Sequence, residues 1–341
     1  LDPAAAEARS AAERERDRRA GFDPATAPLM RFTLARGAEG CYRFIRTHHH
    51  LLMDGWSMPL LLEEVRRAYD GAAPDQPAPD FRSFLTWLER QDAAAARAFW
   101  ADALAGLPPA ALAWPPVPPD APAGRRFAEV VRTPPPAVGQ ALAVFARRHR
   151  LTVPAVVMGA WALVLGRYTG SGDGGSSDGG SGDVVFGVTS ALRPPDLPGV
   201  EGMIGPLINT LPLRVPPPGA TPLPAWLAGV QRRRAAQTAH AHLPLAAVAA
   251  AAGLAPGQAP FTTTLRVQTY PAGKDGGGGL RFAGVSMTDH WHYPLNLEVV
   301  PGEAMVVAAG YDTALFTATA VEDILDAFLT TLTAVAEGRA P

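Results

Sequence analysis

The sequence predicts a mixed α/β (α+β) fold. Short runs rich in β-branched and aromatic residues alternate with helical segments along the chain. One helix is specified by periodicity alone: Val321, Ile324, Leu325, Phe328, Leu329 and Leu332 recur at helical spacing, and Gly338 is placed to stop it. An apolar content of 48% in 341 residues is enough for two lobes of ordinary domain size, each with a core. A doubly wound parallel sheet is not supported by the order of elements.

Taken in order, residues 4–20 are Ala-, Glu- and Arg-rich without Gly or Pro, which predicts a solvated helix. Residues 30–50 read as a hairpin of two strands around Gly37 and Gly40, with His48, His49 and His50 closing the second strand. Ser57-Met58-Pro59 then offers a serine cap and an early proline to a new helix, so the histidines and Asp54 fall on a strand-to-helix turn. A helical stretch follows over 81–107, with Phe84, Trp87, Leu88, Phe99 and Trp100 as core contacts. The Pro-rich run 107–136 reads as an extended connection between lobes. Beyond it come a helix ending at the basic turn Arg147–Arg150 and another over 154–167. Strands are expected at 184–189, 207–215, 261–268, 295–300 and 305–311. The expected division is a first lobe over residues 1–120, carrying the histidines, and a second over 121–341.

Composition excludes several function classes. Thirty Lys and Arg against 32 Asp and Glu give a net charge of −2, so there is no general attraction to nucleic acid or anionic lipid. Cys41 is the single cysteine, which excludes an internal disulfide and a cysteine-based zinc site and fits a reducing cytoplasm. No run approaches the ~20 apolar residues that span a bilayer, and no signal-like start is present.

Residues 170–183 are a Gly, Ser and Asp low-complexity run, read as a mobile loop. It spells a dinucleotide fingerprint, Gly170-x-Gly172-x-x-Gly175, and a nucleophile elbow, Gly175-x-Ser177-x-Gly179. The first follows a helix where the mechanism needs a strand, and the second lacks the strand and helix that strain it. Both are coincidences of composition.

The informative stretch is His48-His49-His50-Leu51-Leu52-Met53-Asp54-Gly55-Trp56-Ser57. Histidine at a strand end can take or position a proton near neutral pH, its unperturbed pKa being about 6.5. An aspartate four residues beyond His50 can orient the ring or lock the turn, and a glycine lets backbone approach a substrate closely. Two other readings stand beside this one. On a strand, His48 and His50 share a face and could share a metal, with a third ligand from Asp54 or from His240, His242, His290 or His292. Alternatively the whole stretch is a structural turn.

His49-His50-Leu51-Leu52-Met53-Asp54-Gly55 closely resembles the His-His-x-x-x-Asp-Gly signature of the superfamily of chloramphenicol acetyltransferase and the condensation domains of nonribosomal peptide synthetases. Trp56-Ser57 narrows the resemblance to condensation domains. Further matches keep the family's order. Phe22-Asp23, Pro28-Leu29 and Arg31 look like its approach to the histidine motif, and Phe81 to Trp87 resembles its next motif. Arg193 to Val200 leads into Ile204-Gly205-Pro206-Leu207-Ile208-Asn209-Thr210-Leu211-Pro212-Leu213-Arg214, very like its fifth motif, and His242-Leu243-Pro244-Leu245 fits its sixth. The seventh is only faintly echoed, at Ala259 to Thr262 and Gln268 to Pro271. The family's first two motifs precede the histidines by more than the 48 residues present here, so the first lobe is expected to lack its N-terminal part.

The resemblance implies two chloramphenicol-acetyltransferase-like lobes in a V, with the histidine motif in a tunnel between them. It implies an amide-forming acyltransferase whose substrates ride on phosphopantetheine arms. The partners implied are an upstream donor and a downstream acceptor carrier protein and adjacent synthetase domains, with no intrinsic cofactor, metal, nucleic acid or membrane. His50 is then the residue nearest the chemistry, as base or as positioning group, and the Gly55 N–H is a donor to the thioester oxygen. His49 packs structurally, and Asp54 points away from substrate and pairs with an arginine, for which Arg193 is the choice. Trp56 and Ser57 line the tunnel or begin the helix, and Asn209 is structural. Epimerisation domains usually replace the residue at Trp56, heterocyclisation domains carry aspartates for the histidines, and the inactive recruiting domain carries arginine at His50. Pro59 resembles the subtype that takes an L-configured donor. A non-catalytic docking module and a coenzyme-A-dependent acyltransferase are the alternatives. Docking of an acidic carrier is expected to use Arg147-Arg148 or Arg232-Arg233-Arg234, which otherwise are solvated helix faces.

Overall fold

The computed structural model describes residues 3–37, 41–72, 80–107, 127–168, 182–268, 279–284 and 293–339. Packing divides the chain into two compact units, neither of them one continuous stretch. Unit 1 is Leu1–Thr86, Arg193–Leu207 and Ala272–Arg281, and unit 2 is Trp87–Leu192, Ile208–Pro271 and Phe282–Pro341. The expected single cut between residues 120 and 121 falls within 108–126, outside the described residues.

Unit 1 contains α1 (Pro3–Ala20), the strands β1 (Met30–Arg36) and β2 (Tyr42–His48), and α2 (Ser57–Tyr69). The strands form an antiparallel hairpin with Met30 opposite His48 and Arg36 opposite Tyr42. Side chains alternate across it, so Arg31, Arg43 and Thr47 share one face. That face holds α1, where Asp17 takes Arg31 and Glu7 pairs with Arg43. The opposite face carries Phe32, Leu34, Tyr42 and Phe44, all exposed, with the Phe32 and Phe44 rings stacked at 5.6 Å.

The expectation for the histidines needs correction here. Only His48 belongs to β2; His49 is extended coil, and His50 opens a 3₁₀ turn over His50–Leu52. The three therefore do not alternate as strand residues, and the facing of His48 and His50 that favoured a shared metal does not arise.

The expected helix over 81–107 is two helices, α3 (Phe81–Glu89) and α4 (Ala93–Ala103). Asp92 makes the break, because its carboxylate accepts the Ala94 and Ala95 N–H groups at 3.0 and 2.9 Å and so starts a new helix.

Unit 2 is built on a six-stranded mixed sheet of β3 (Phe127–Arg132), β4 (Val184–Ala191), β5 (Ile208–Val215), β6 (Thr263–Val267), β7 (Leu295–Val300) and β8 (Val306–Asp312). The order is β3-β8-β7-β6-β4-β5, parallel at β4–β6 and β6–β7 and antiparallel elsewhere. Strand β3 lies inside the run read as an extended connection, where the apolar alternation of Phe127 to Arg132 is masked by flanking prolines. The helices α5 (Pro136–His149), α6 (Val153–Tyr168) and α9 (Ala318–Ala336) bury their apolar faces with Val184, Phe186 and Val188 of β4, and Trp161 meets Phe328 edge-on at 5.9 Å.

Helices α7 (Leu223–Thr238) and α8 (Leu245–Ala251) both start at prolines, with Pro222 and Pro244 as their N-caps and Pro224 in the first turn of α7. Proline at a helix start costs nothing, since that N–H has no intrahelical partner. A second small core joins α4 to α8 through Trp100, Leu104, Leu211, Leu243 and Val248. The Trp100 indole donates to the His240 carbonyl at 3.1 Å, and Phe99 stacks on the His240 ring at 4.3 Å.

Candidate active site

The turn between β2 and α2 is held from within by Asp54, whose side chain is 0% exposed. Its Oδ1 accepts the Ser57 N–H at 2.9 Å, the Ser57 hydroxyl at 2.7 Å and Arg193 Nη2 at 3.4 Å. Its Oδ2 accepts the Leu207 N–H at 3.1 Å and Arg193 Nη1 at 3.2 Å. A carboxylate taken out of water needs this density of donors, because each lone pair left empty keeps its desolvation cost. Arg193 is equally enclosed, at 5% exposure, and its Nη2 also donates to the Met203 carbonyl at 3.1 Å.

Asp54 therefore caps α2, by accepting the N–H of its first residue, and the expected serine cap is corrected. Ser57 is the first residue of α2 and wholly buried. Its hydroxyl proton is shared between Asp54 Oδ1 at 2.7 Å and the Gly205 carbonyl at 3.1 Å, and the charged, nearer acceptor takes it. The same oxygen accepts the Gly205 N–H at 3.1 Å. So Ser57 begins the helix and has no surface left with which to line a tunnel. Trp56 sits half-buried beside it, its indole N–H on the Glu201 carbonyl at 3.0 Å and its ring 5.1 Å from the Arg193 guanidinium carbon.

Gly205 completes the lock, its carbonyl taking the Asp54 N–H at 3.1 Å. A Cβ built on it would lie 2.6 Å from the Phe81 ring, so only glycine fits. In the sequence Gly205, Leu207 and Phe81 stand as motif letters, and these roles become visible only in the fold. The signal available beforehand is the glycine itself, which no turn at 205 requires.

The histidines behave differently from Asp54. His49 is half-buried, its N–H on the Leu29 carbonyl at 2.9 Å, and its Nδ1 accepts the Leu51 N–H at 3.1 Å. An accepting Nδ1 places the proton of the neutral ring on Nε2. His50 is exposed, and among the described residues its imidazole has no hydrogen-bond partner. The Gly55 N–H likewise donates to no protein group among them. Arg46, on β2, reaches the sulfurs of Met53 and Met58, and burial lowers its pKa. Asn209, in unit 2, donates to the carbonyls of Ala241 and Leu243 at 2.9 and 2.8 Å, tying β5 to the turn before α8.

Among the described residues no group of three or more His, Cys, Asp or Glu is placed to hold a metal ion. His290 and His292 lie outside them, as do 170–181 of the Gly-rich run. No single helix among the described residues is long and apolar enough to cross a membrane.

A mixed sheet flanked by helices, and a His-His turn locked by a buried carboxylate, are features of an acyltransferase fold of the chloramphenicol acetyltransferase type. Over residues 2–340 the chain matches the condensation domain family, and it belongs to that family. A linear gramicidin synthase protein of Brevibacillus parabrevis is 36% identical over 327 residues, which is 91% of this chain and 4% of that protein. The chain thus spans a small part of the length of the curated relatives it matches. Among solved structures, the X-domain from teicoplanin biosynthesis superposes with a TM-score of 0.76 at 22% identity, covering 93% of this chain and 74% of that one. The first condensation domain of the calcium-dependent antibiotic synthetase does so with a TM-score of 0.72 at 19% identity, covering 96% and 72%. Both likenesses show the fold.

Proposed function

We propose that this chain joins a donor acyl or peptidyl thioester to the amine of an acceptor aminoacyl thioester, both carried on phosphopantetheine arms of carrier proteins. The observation that carries this reading is the contrast within one turn: Asp54 is wholly buried and saturated with donors, while His50 is exposed and unpartnered among the described residues. The amine nitrogen attacks the thioester carbonyl, the C–N bond forms, the C–S bond breaks, and the amine proton ends on the departing thiolate. His50 either takes that proton first or holds the amine by a hydrogen bond. The Gly55 N–H is placed on the same turn to donate to the carbonyl oxygen as negative charge develops. Two tethered reactants held in line supply much of the acceleration. The chain itself then needs no cofactor.

A second reading, a docking module without turnover, has one observation in its favour. The teicoplanin X-domain, which has this fold, is known in complex with OxyB. The intact His50 weighs against it. A third reading, with coenzyme A thioesters as donors, has beside it the starter condensation domain of rhizomide synthetase in complex with C8-CoA. Supplying the chain with acyl-carrier thioester or acyl-coenzyme A, each with aminoacyl-carrier acceptor, separates the three. Amide on the acceptor from the carrier donor alone supports the proposal. Consumption of the coenzyme A donor alone, or of neither, overturns it.

A further inference from the structure

Two groups of exposed arginines in unit 2 make no ion pair among the described residues. Arg147, Arg148 and Arg150 stand at the end of α5, and Arg232 and Arg233 on α7. Some other surface arginines are matched locally, as Arg66 and Arg67 are with Glu63, and Arg18 and Arg19 with Glu15, whereas Arg90, Arg97 and Arg167 stand singly without an ion pair among the described residues.

The two clusters, 82 residues apart by number between Arg150 and Arg232, are joined by one side chain. Gln231 accepts the Thr152 N–H at 2.7 Å and donates to the Arg150 carbonyl at 3.4 Å. The end of α5 is thereby fixed to the residue that precedes Arg232. Arg232 Nη2 and Arg233 Nη1 both lie 3.9 Å from the point where a Gly229 Cβ would stand, so these guanidinium groups share one spot on the helix. Arg234 does not belong with them: it turns inward to the Ser190 hydroxyl, and burial lowers its pKa.

Cations at a helix C-terminus are stabilised by its dipole, which is sufficient reason for Arg147 and Arg148. The same reason serves Arg150, the C-cap of α5, but gives none for Arg232 and Arg233, since α7 continues to Thr238. In a chain of net charge −2 the two groups, tied together through Gln231, are a local excess of positive charge.

We infer that Arg147, Arg148, Arg150, Arg232 and Arg233 form one docking surface for the acidic face of a carrier protein. This rests on the function proposed above and adds to it where one carrier binds. Charge complementarity of this kind acts on encounter and on salt dependence more than on the chemical step. Both clusters therefore serve the same carrier, and a substrate without a carrier does not use them.

The test uses two variants of the full chain, Arg147→Glu/Arg148→Glu/Arg150→Glu and Arg232→Glu/Arg233→Glu. The Kd for each holo-carrier is measured by calorimetry, and KM for carrier-bound and for free pantetheine thioesters by amide formation. Each variant is expected to weaken the same carrier roughly tenfold at low salt, with a smaller loss at high salt, and to leave kcat and the pantetheine KM unchanged. Unchanged Kd, clusters acting on different carriers, or equal loss with free pantetheine thioesters overturns the inference. So does binding of duplex DNA that depends on these arginines while carrier Kd does not. If the wild-type chain forms no amide at all, the proposed function fails while Kd still reads the surface. Should a glutamate variant melt early, the corresponding Arg→Gln set gives the same comparison.

Discussion

Asp54 and Arg193 meet through both terminal guanidinium nitrogens, at 3.2 and 3.4 Å, across 139 residues of sequence, with neither side chain more than 5% exposed. Removing one partner leaves a buried charge without compensation, at a cost of about 3–5 kcal/mol. Asp54→Ala and Arg193→Ala are each expected to destabilise by that order in urea melts, and the double variant to lose less than the sum. Full additivity would show that the two do not act as a pair.

His50→Ala is expected to behave in the opposite way. An exposed side chain without a protein partner contributes within about 0.5 kcal/mol of stability, so the melting temperature holds. Amide formation falls by about 10²–10⁴ if the imidazole handles a proton. A pH profile on the wild type separates the roles left open, since a base imposes an acid limb that a hydrogen-bonding group does not. An active His50→Ala enzyme removes His50 from the chemistry.

Gly205→Ala tests the lock from the other side. The new Cβ would lie 2.6 and 2.8 Å from two Phe81 ring atoms and 2.9 Å from Leu207 Cδ1, which calls for a loss of about 1–3 kcal/mol from overpacking. Pairing it with Phe81→Leu should return part of that loss. If Gly205→Ala melts like wild type, the close approach is not rigid.

How far the sequence carries these sites depends on the range of the forces involved. Periodicity over α9 and the β1–β2 hairpin is local and readable. Strand β3 is not, because its six residues are surrounded by prolines that dominate any short window. The placing of Arg193 against Asp54 comes through resemblance, since nothing local links residues so far apart. The role of Ser57 is hidden for a related reason: a serine ahead of a helix looks like a cap, and only the tertiary contact with Gly205 and Asp54 shows it to be the first helical residue.

His240 supplies a prediction in pH. Burial, and after it the neighbouring His242, hold its pKa below the ordinary value against a weaker opposing pull from Asp92. The folded chain thus binds a proton less readily than the unfolded chain. The stability this supplies is complete above about pH 6.5. It is lost as pH falls from there through the folded-state pKa. His240→Phe, which keeps a ring against Phe99, should flatten the melting temperature between pH 7 and pH 5 relative to wild type. Parallel curves would remove His240 as the titrating group.

The interleaving of the two units sets an order of events during synthesis. When Asp54 leaves the ribosome, neither Arg193 nor the Leu207 N–H that completes its coordination exists. At about 5–20 residues per second, the 139 residues between Asp54 and Arg193 take roughly 7–28 s to arrive. Over that interval the nascent hairpin and α2 cannot bury this carboxylate, and the His50 turn stays unset. The histidine turn is therefore among the late parts of the chain to take its final form, although it lies near the start of the sequence.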